Sequence, residues 1–226
     1  TRACRFCSVG TGKPPTTDYL EPFRVSQAVK SMGLRHVVIT SVDRDDIRDD
    51  YGSKIWAETI NMIRKEVDGC SIEVLTPDFR GHRESICRVL NSRPDIFSHN
   101  VECVKRISKQ VRAQANWDRT LKVLKMSVQH DLLTKTGIMV GLGETDDEVY
   151  ETMKEISDIG VEIFNIGQYL QPTKKHMPVS RFVHPDIFKK YKDYGLELGF
   201  KVVESGPLVR SSYHADEQAQ LYKTVN

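Results

Sequence analysis

The sequence has few of the features that mark membrane, secreted or nucleic-acid-binding proteins. No apolar run in its 226 residues approaches the roughly 20 residues that a membrane-spanning helix needs, and the opening residues lack the apolar core of a signal peptide. Lys and Arg outnumber Asp and Glu by only 33 to 31, and the charges are interspersed, which argues against a nucleic-acid footprint. These absences predict a soluble chain with no membrane and no nucleic-acid partner.

Cysteine is also scarce. The chain has five cysteines, an odd number, and two of them form the pair Cys4-x-x-Cys7. This pattern argues against a disulfide framework and favours a reducing compartment, which is the cytoplasm in a bacterium or the mitochondrion in a eukaryote. The pair itself is ambiguous, because C-x-x-C occurs in zinc sites, in redox pairs and in iron–sulfur loops.

Strand-like and helix-like patterns alternate along the chain, which predicts βα units and a parallel sheet in one α/β domain of residues 1–226. Strands are predicted at 36–40, 71–76, 95–99, 134–140 and 162–167, and residues 201–204 are also strand-like. Helices are predicted at 21–34, 53–67, 83–90, 117–129, 146–159 and 185–198. We treat residues 200–226 as a C-terminal segment of the same domain.

Polar residues follow the predicted strands rather than precede them. They lie in the segments 41–46, 77–81, 100–102, 141–144 and 168–172. In a parallel α/β barrel these strand ends converge on one face, where substrates and cofactors bind. Each segment has a plainer interpretation as a turn or helix cap, but five such ends on one face favour a binding site.

Several motifs together resemble the lipoyl synthases, a family of radical S-adenosylmethionine enzymes. The resemblance runs nearly from end to end and rests on Cys4–Val9, Thr40–Asp46, Leu75–Gly81, His99–Glu102, Lys135–Thr145, Gly167–Thr173 and Ser205–Tyr213. It implies a partial (β/α)6 barrel of the TIM type. It also implies insertion of two sulfur atoms into an octanoyl chain held on a lysine of a carrier domain.

The cofactors and partners follow from the same resemblance. The family uses two 4Fe-4S clusters: one cleaves S-adenosylmethionine to a 5'-deoxyadenosyl radical, and an auxiliary cluster is the sulfur source. The implied carriers are the acyltransferase subunits of 2-oxoacid dehydrogenases and the H protein of glycine cleavage. A ferredoxin or flavodoxin is the implied electron donor.

The resemblance also assigns residues. Cys4 and Cys7 are expected to ligate the radical cluster. Ser211, the first serine of Arg210–Tyr213, is expected to ligate the auxiliary cluster, with Arg210 beside it. Candidates for binding S-adenosylmethionine are Thr40, Ser41 and Asp43 (methionine ammonium), Asn100 and Glu102 (ribose), Arg112 and Lys135 (methionine carboxylate), Gly141 and Glu144 (adenine side), and Gln168.

Two expected features fall outside the printed sequence. The family's radical-cluster triad requires a cysteine just before Thr1, at the end of a first barrel strand, and the three auxiliary-cluster cysteines lie in an N-terminal extension. We therefore expect the isolated chain to be an inactive core of an active enzyme. Cys70, Cys87 and Cys103 are expected to be structural thiols, because free cysteine commonly packs as a small apolar residue.

Three other interpretations remain open at this point. One is a different radical S-adenosylmethionine enzyme. A second is a Rossmann-type methyltransferase, suggested by Gly141-x-Gly143, although that position is late in the chain for such a motif. The third is a zinc-stabilised binding module, although no His-x-x-x-His pair accompanies Cys4 and Cys7. The segment Arg210–Tyr213 has its own plainer interpretation as the start of a capping helix.

Overall fold

The computed structural model describes residues 1–213 and 215–217. It contains six parallel strands in one sheet, in the spatial order in which they occur along the chain. The strands are β1 (His36–Thr40), β2 (Ser71–Leu75), β3 (Ile96–Ser98), β4 (Leu133–Val140), β5 (Ile163–Gln168) and β6 (Val202–Gly206). Sequential order is what repeated βα units produce, and the predicted partial (β/α)6 barrel is confirmed.

Helices connect the strands. They are α1 (Glu21–Ser31), α2 (Ser53–Glu66), α3 (Arg83–Asn91), α4 (Ser108–Val111), α5 (Trp117–Val128), α6 (Asp146–Ser157) and α7 (Pro185–Glu197). Short 3-10 turns lie at Phe79–Gly81 and Lys105–Ile107. Among the helices of the described residues, none has both the length and the apolar character needed to cross a membrane.

Local chemistry explains where α6 begins. Thr145 accepts a hydrogen bond from the Glu148 backbone N–H, and the Glu148 carboxylate accepts one from the Thr145 N–H. This capping box satisfies two amides that the first turn leaves unpaired. Asp146 and Asp147 add negative charge at the positive end of the helix dipole.

The apolar core lies between the sheet and its helices in two clusters. One is built around β4–β6 and includes Phe164, Tyr191 and the thiol of Cys103. The other is built around β1–β3 and includes Ile60, Ile72 and Phe97, with Cys70 and Cys87 packed at its edge. Buried packing of this kind holds the strands rigid, so that their carboxyl ends form a fixed rim.

The interior of the barrel also holds a buried ion pair. Lys135 on β4 lies 3.0 Å from Glu73 on β2, and both side chains are almost fully buried. Burial raises the pKa of Glu73 and lowers the pKa of Lys135, while their mutual attraction acts in the opposite direction for each. Both charges are therefore already paired within the sheet.

Candidate active site

A cavity of about 910 Å³ lies at the carboxyl ends of β1–β3. One wall is the loop that follows the amino terminus, and the facing wall is the strand ends. Its lining includes the predicted site residues Cys4, Cys7, Thr40, Ser41, Asp43, Asn100, Glu102 and Arg112. Eight candidate residues that are scattered over more than 100 positions in sequence thus meet in one cavity.

The cysteine loop is held against the rest of the barrel by backbone contacts. Cys4 forms an antiparallel bridge with Arg112, and the Arg5 N–H donates to the Val111 carbonyl at 2.8 Å. Within the loop, the Cys7 N–H donates to the Cys4 carbonyl at 3.1 Å, so both cysteines belong to one turn. Burial raises the pKa of the Cys4 thiol, and the charge of Arg112 acts against that rise.

Arg2 anchors this loop through its side chain, and it was not among the predicted site residues. Its guanidinium donates to both carboxylate oxygens of Asp45 at 2.8 Å and to Asp78 at 2.6 Å, and lies 3.2 Å from Asp43. Arg119 donates to the other oxygen of Asp78 at 2.7 Å. Burial tends to raise the pKa of Asp78, but the hydrogen bond and charge of Arg2 outweigh it and hold the pKa well below its ordinary value. The loop before Cys4 is thereby tied to the loops after β1 and β2.

The cavity end of β1 presents two hydroxyls and a carboxylate. Thr40 Oγ1 donates to the Leu75 carbonyl at 3.2 Å, and Ser41 Oγ donates to the Val42 carbonyl at 3.0 Å. Burial raises the pKa of Asp43, and the positive charge of Arg2 partly offsets this. One oxygen of Asp43 faces Arg2, so only part of this carboxylate is available to a ligand.

Arg112 and Glu102 lie on the β3 side of the cavity. The Arg112 guanidinium donates to the carbonyls of Asn100 and Val101 at 3.2 Å each. Burial raises the pKa of Glu102, while Arg112 and a hydrogen bond from Asn100 lower it. Glu102 itself has a left-handed φ of 69° and is held to β4 by backbone bonds with Gly137 and Met139. Such a conformation is uncommon for a residue with a side chain and fixes the carboxylate at the rim.

His99 is a second cavity residue that was not among the predicted site residues. Its side chain is 2% exposed, with Nδ1 2.9 Å from the Thr76 carbonyl and Nε2 3.4 Å from Thr120 Oγ1. Burial lowers its pKa to about 4, against the attraction of Asp78. His99 is therefore neutral near pH 7 and adds no charge to the cavity.

Four predicted cofactor residues do not line this cavity. Lys135 is paired with Glu73 inside the barrel. The carboxylate of Glu144 accepts from the N–H groups of Gly141 and Leu142 at 2.6 and 2.9 Å, and the amide of Gln168 binds the backbone of Arg181 and Val183. In this arrangement Gly141, Glu144 and Gln168 shape the loops after β4 and β5. For residues 141–144, this geometry agrees with the plainer interpretation as a tight turn.

The Arg210–Tyr213 segment lies across the ends of β3–β5. Asn100 Nδ2 donates to Ser211 Oγ at 2.8 Å, and Asn165 Nδ2 contacts the carbonyls of Arg210 and Ser211 at 3.3 and 3.4 Å. Arg210 is exposed and its guanidinium folds back onto the Val209 carbonyl at 2.7 Å. Ser211 and Arg210 were both expected near the auxiliary cluster. Ser211 contacts a residue of the cavity wall, whereas the Arg210 guanidinium contacts its own loop.

Comparisons with known proteins agree with this geometry. Residues 1–156 match the model of the radical SAM superfamily. A lipoyl synthase of Rubrobacter xylanophilus is 54% identical over 222 residues, which cover 97% of this chain and 69% of that relative. The chain belongs to the lipoyl synthase family of the radical SAM superfamily. A lipoyl synthase of Flavobacterium johnsoniae is 51% identical over 96% of this chain and 75% of its own length, and a mitochondrial one of Nematostella vectensis is 49% identical over the same shares.

Solved structures of distant proteins share the fold of this lipoyl synthase family member. SuiB of Streptococcus suis, in a structure bound to S-adenosylmethionine, superposes with a TM-score of 0.71 at 10% identity, covering 95% of this chain and 49% of that one. Methylornithine synthase superposes with a TM-score of 0.65 at 12% identity, covering all of this chain and 78% of that one. At such identities the likeness shows the fold alone.

The donor set fits part of the iron–sulfur ligation of a lipoyl synthase. Cys4 and Cys7 are two unpaired thiols in one turn at the cavity wall, and thiolates are the usual ligands of 4Fe-4S clusters. Within residues 1–213 and 215–217, no group of three or more His, Cys, Asp or Glu is arranged to hold a metal ion. Cys103 is a poor ligand candidate, because burial raises the pKa of its thiol to about 12.

Proposed function

We propose that the cavity at the ends of β1–β3 is the S-adenosylmethionine site of a lipoyl synthase, which inserts two sulfur atoms into a protein-bound octanoyl chain. The observation that carries this assignment is the convergence of Cys4 and Cys7 with the polar ends of three strands around one cavity of about 910 Å³. Small-molecule and cofactor sites have volumes of about 300–1,000 Å³. The family membership supports the reaction.

Each cavity residue has a role suited to its chemistry. Thr40 and Ser41 present hydroxyl and backbone oxygens that suit the methionine ammonium, with the exposed part of the Asp43 carboxylate beside them. Glu102 is a carboxylate acceptor for ribose hydroxyls. Arg112 is a cation of the cavity wall and suits the methionine carboxylate, since guanidinium binds carboxylates in a bidentate manner.

Cys4 and Cys7 would hold the radical cluster as thiolates. When bound, that cluster supplies the electron that cleaves S-adenosylmethionine. The raised pKa of Cys4 means that its proton must leave as iron binds, so cluster assembly releases protons and is favoured by higher pH. The loop must also stay in place during assembly, and the Arg2 contacts provide that restraint.

Ser211 is our proposed oxygen ligand of a second, auxiliary 4Fe-4S cluster. Its hydroxyl accepts from Asn100, and its own proton has no acceptor among the described residues, which leaves the oxygen open to a metal. An alkoxide is a harder ligand than a thiolate and a poorer match for iron in a sulfur-rich cluster. Arg210 lies beside it on the exposed side of the segment.

The partners are proposals of the same kind. We infer that the octanoyl group arrives on the acyltransferase subunits of 2-oxoacid dehydrogenases or on the glycine-cleavage H protein, and that ferredoxin or flavodoxin supplies electrons. Five free thiols suit a reducing compartment, which is the bacterial cytoplasm, or the mitochondrion in a eukaryote. A mitochondrial relative supports the second case. Lipoylation of each carrier by the purified enzyme tests the choice between them.

The cluster assignment is tested by replacing Cys4 or Cys7 with Ala in the natural protein that contains this chain. After anaerobic reconstitution, each variant is expected to hold about four fewer iron atoms per chain than the wild type, and to lose cleavage of S-adenosylmethionine. Cys87→Ala is the matched control, because that thiol packs at the edge of the core, and it should retain iron and activity.

The same measurement separates the alternatives. Zinc in place of iron and sulfide would favour a binding module, and absence of metal with retained S-adenosylmethionine binding would favour a methyltransferase. Retention of the full iron content by Cys4→Ala and Cys7→Ala would contradict the assignment. A protein that cleaves S-adenosylmethionine but lipoylates no carrier would be a different radical SAM enzyme.

A further inference from the structure

Among the described residues that line the cavity, Asn100 is the one that is hydrogen-bonded to Ser211. Its side chain is 7% exposed, and Nδ2 donates to Ser211 Oγ at 2.8 Å across 111 positions of sequence. Asn100 also lines the cavity and hydrogen-bonds Glu102. A single amide therefore touches both the proposed cofactor site and the proposed metal ligand.

The backbone around Asn100 is held more firmly than an ordinary loop. The Thr136 hydroxyl donates to the His99 carbonyl at 2.7 Å and accepts from the Val101 N–H at 3.2 Å. The Glu102 N–H donates to the Gly137 carbonyl at 3.0 Å. These bonds flank Asn100 on both sides, so its Cα cannot shift without breaking contacts to β4.

The side chain is fixed as well. A Cβ on Gly137 would lie 3.3 Å from Asn100 Oδ1 and 3.3 Å from the Asn165 carbonyl, so the absence of a side chain at Gly137 makes room for the amide. Its oxygen lies over β4 and its nitrogen faces Ser211. The donor is thus preorganised, and preorganised donors tune a ligand without a cost at the time of reaction.

We propose that Asn100 is a positioning residue for Ser211: its amide holds the serine oxygen at the edge of the cofactor cavity and remains a hydrogen-bond donor to that oxygen when it ligates iron. The second part rests on the auxiliary-cluster role proposed above. A donated hydrogen bond would withdraw electron density from a serine alkoxide and would weaken its bond to iron. Arg210 does not fill this role, because its guanidinium is turned onto its own loop.

Asn165 provides a matched control. Its amide contacts the same segment, but only at the backbone carbonyls of Arg210 and Ser211. Asn165→Ala therefore loosens the segment without touching the serine hydroxyl. In a Ser211→Ala background the Asn100 contact is already lost, whereas the Asn165 contacts to the backbone remain. The effects of the two asparagines can therefore be measured separately.

The first test is amide hydrogen exchange of residues 208–213 in the chain without metal. Asn100→Ala is expected to speed exchange by roughly five-fold, the effect of losing one hydrogen bond, and to have no further effect in a Ser211→Ala background. Asn165→Ala should speed exchange equally in both backgrounds. If Asn100→Ala does not fold, Asn100→Asp takes its place, because Asp has the same shape but a carboxylate acceptor instead of the amide donor. Asn100→Asp should speed exchange to the same extent. An effect of Asn100→Ala that persists without the Ser211 hydroxyl, or no effect at all, overturns the proposal.

The second test uses the full-length protein with both clusters and reads the Mössbauer spectrum of the iron. Iron with an oxygen ligand has a different isomer shift from iron with sulfur ligands only. Asn100→Asp is therefore expected to change the isomer shift of the oxygen-ligated iron, while Asn165→Ala leaves it unchanged. An unshifted component in Asn100→Asp overturns the tuning role. A Ser211→Ala spectrum that matches the wild type would overturn the ligand role of Ser211. The positioning contact would still be supported if, in the hydrogen-exchange test, the effect of Asn100→Ala depends on the Ser211 hydroxyl.

Discussion

At the scale of single residues, Arg2 contributes most to the position of the cysteine loop. Its side chain is 4% exposed and contacts three carboxylates, those of Asp43, Asp45 and Asp78. Buried charges are stable only when paired, and removal of one partner leaves the others desolvated and unpaired. The loop that carries Cys4 thus depends on an ion cluster two residues away.

Arg2→Met tests this dependence. The substitution keeps much of the side-chain volume but removes the charge from Asp78, which is fully buried. We expect the free energy of unfolding to fall by about 3–5 kcal/mol, the usual cost of breaking a buried ion pair, in urea titrations of the chain. Arg24→Met is the control, since its pair with Asp18 is exposed and such surface pairs contribute little to stability. Equal stability of both variants would contradict the anchoring role.

The sequence predicted the cavity residues better than the anchoring ones. Cys4, Asp43 and Glu102 were found because they follow strands or form a known spacing. Arg2 precedes the C-x-x-C pair, and its partners come from loops 43 and 76 positions away. No local pattern reports such contacts. A backbone turn and a cofactor loop use the same glycine chemistry, so the motif around Gly141 fits both interpretations.

At the scale of secondary structure, the predicted helices and strands match the observed ones within a few residues at most ends. Periodicity located α2 and α5 because their buried faces are continuous. The capping box of Thr145 and Glu148 has the sequence pattern T-x-x-E, which marks the start of α6. The short 3-10 turn and helix of 105–111 have no predicted bounds, because three and four residues are too few to show a period.

The close crossing of the C-terminal segment over β5 leads to a prediction about Gly167. A Cβ at this position would overlap the Val209 carbonyl oxygen, which is backbone and cannot rotate away. Gly167→Ala is therefore expected to push residues 209–211 off the sheet and to break the Asn100–Ser211 hydrogen bond. Limited proteolysis should cut this segment roughly ten-fold faster, which corresponds to about 1.4 kcal/mol of lost local stability.

Gly206→Ala is the matched control for Gly167→Ala. Its added Cβ would meet only a methyl group of Val209 at 3.5 Å, an ordinary contact distance. We expect the protease sensitivity of this variant to stay within about two-fold of the wild type, since surface-like substitutions change stability by less than about 0.5 kcal/mol. Similar cleavage of the two variants would show that the crossing is not tight.

At the scale of the whole molecule, acid stability combines groups with opposite effects. His99 and Asp78 have lowered pKa values in the folded state, so protonating them opposes folding. Asp43 and Glu102 have raised pKa values, so their protonation favours folding. The pH profile of stability therefore includes contributions of opposite sign from these four buried sites.

His99→Gln isolates one of these sites. The unfolded chain takes up a proton on histidine near the ordinary pKa of 6.5, whereas folded His99 does so only at about 4. Stability is therefore lost as the pH falls from about 6.5 towards about 4. The difference of about 2.5 pKa units corresponds to about 3 kcal/mol. We expect the difference in the free energy of unfolding between the wild type and His99→Gln, measured by urea titration, to change by about this amount between pH 7.5 and pH 4. The contributions of Asp43 and Glu102 cancel in this comparison. A His99→Gln profile that runs parallel to that of the wild type over this pH range would show that folding does not lower the pKa of His99.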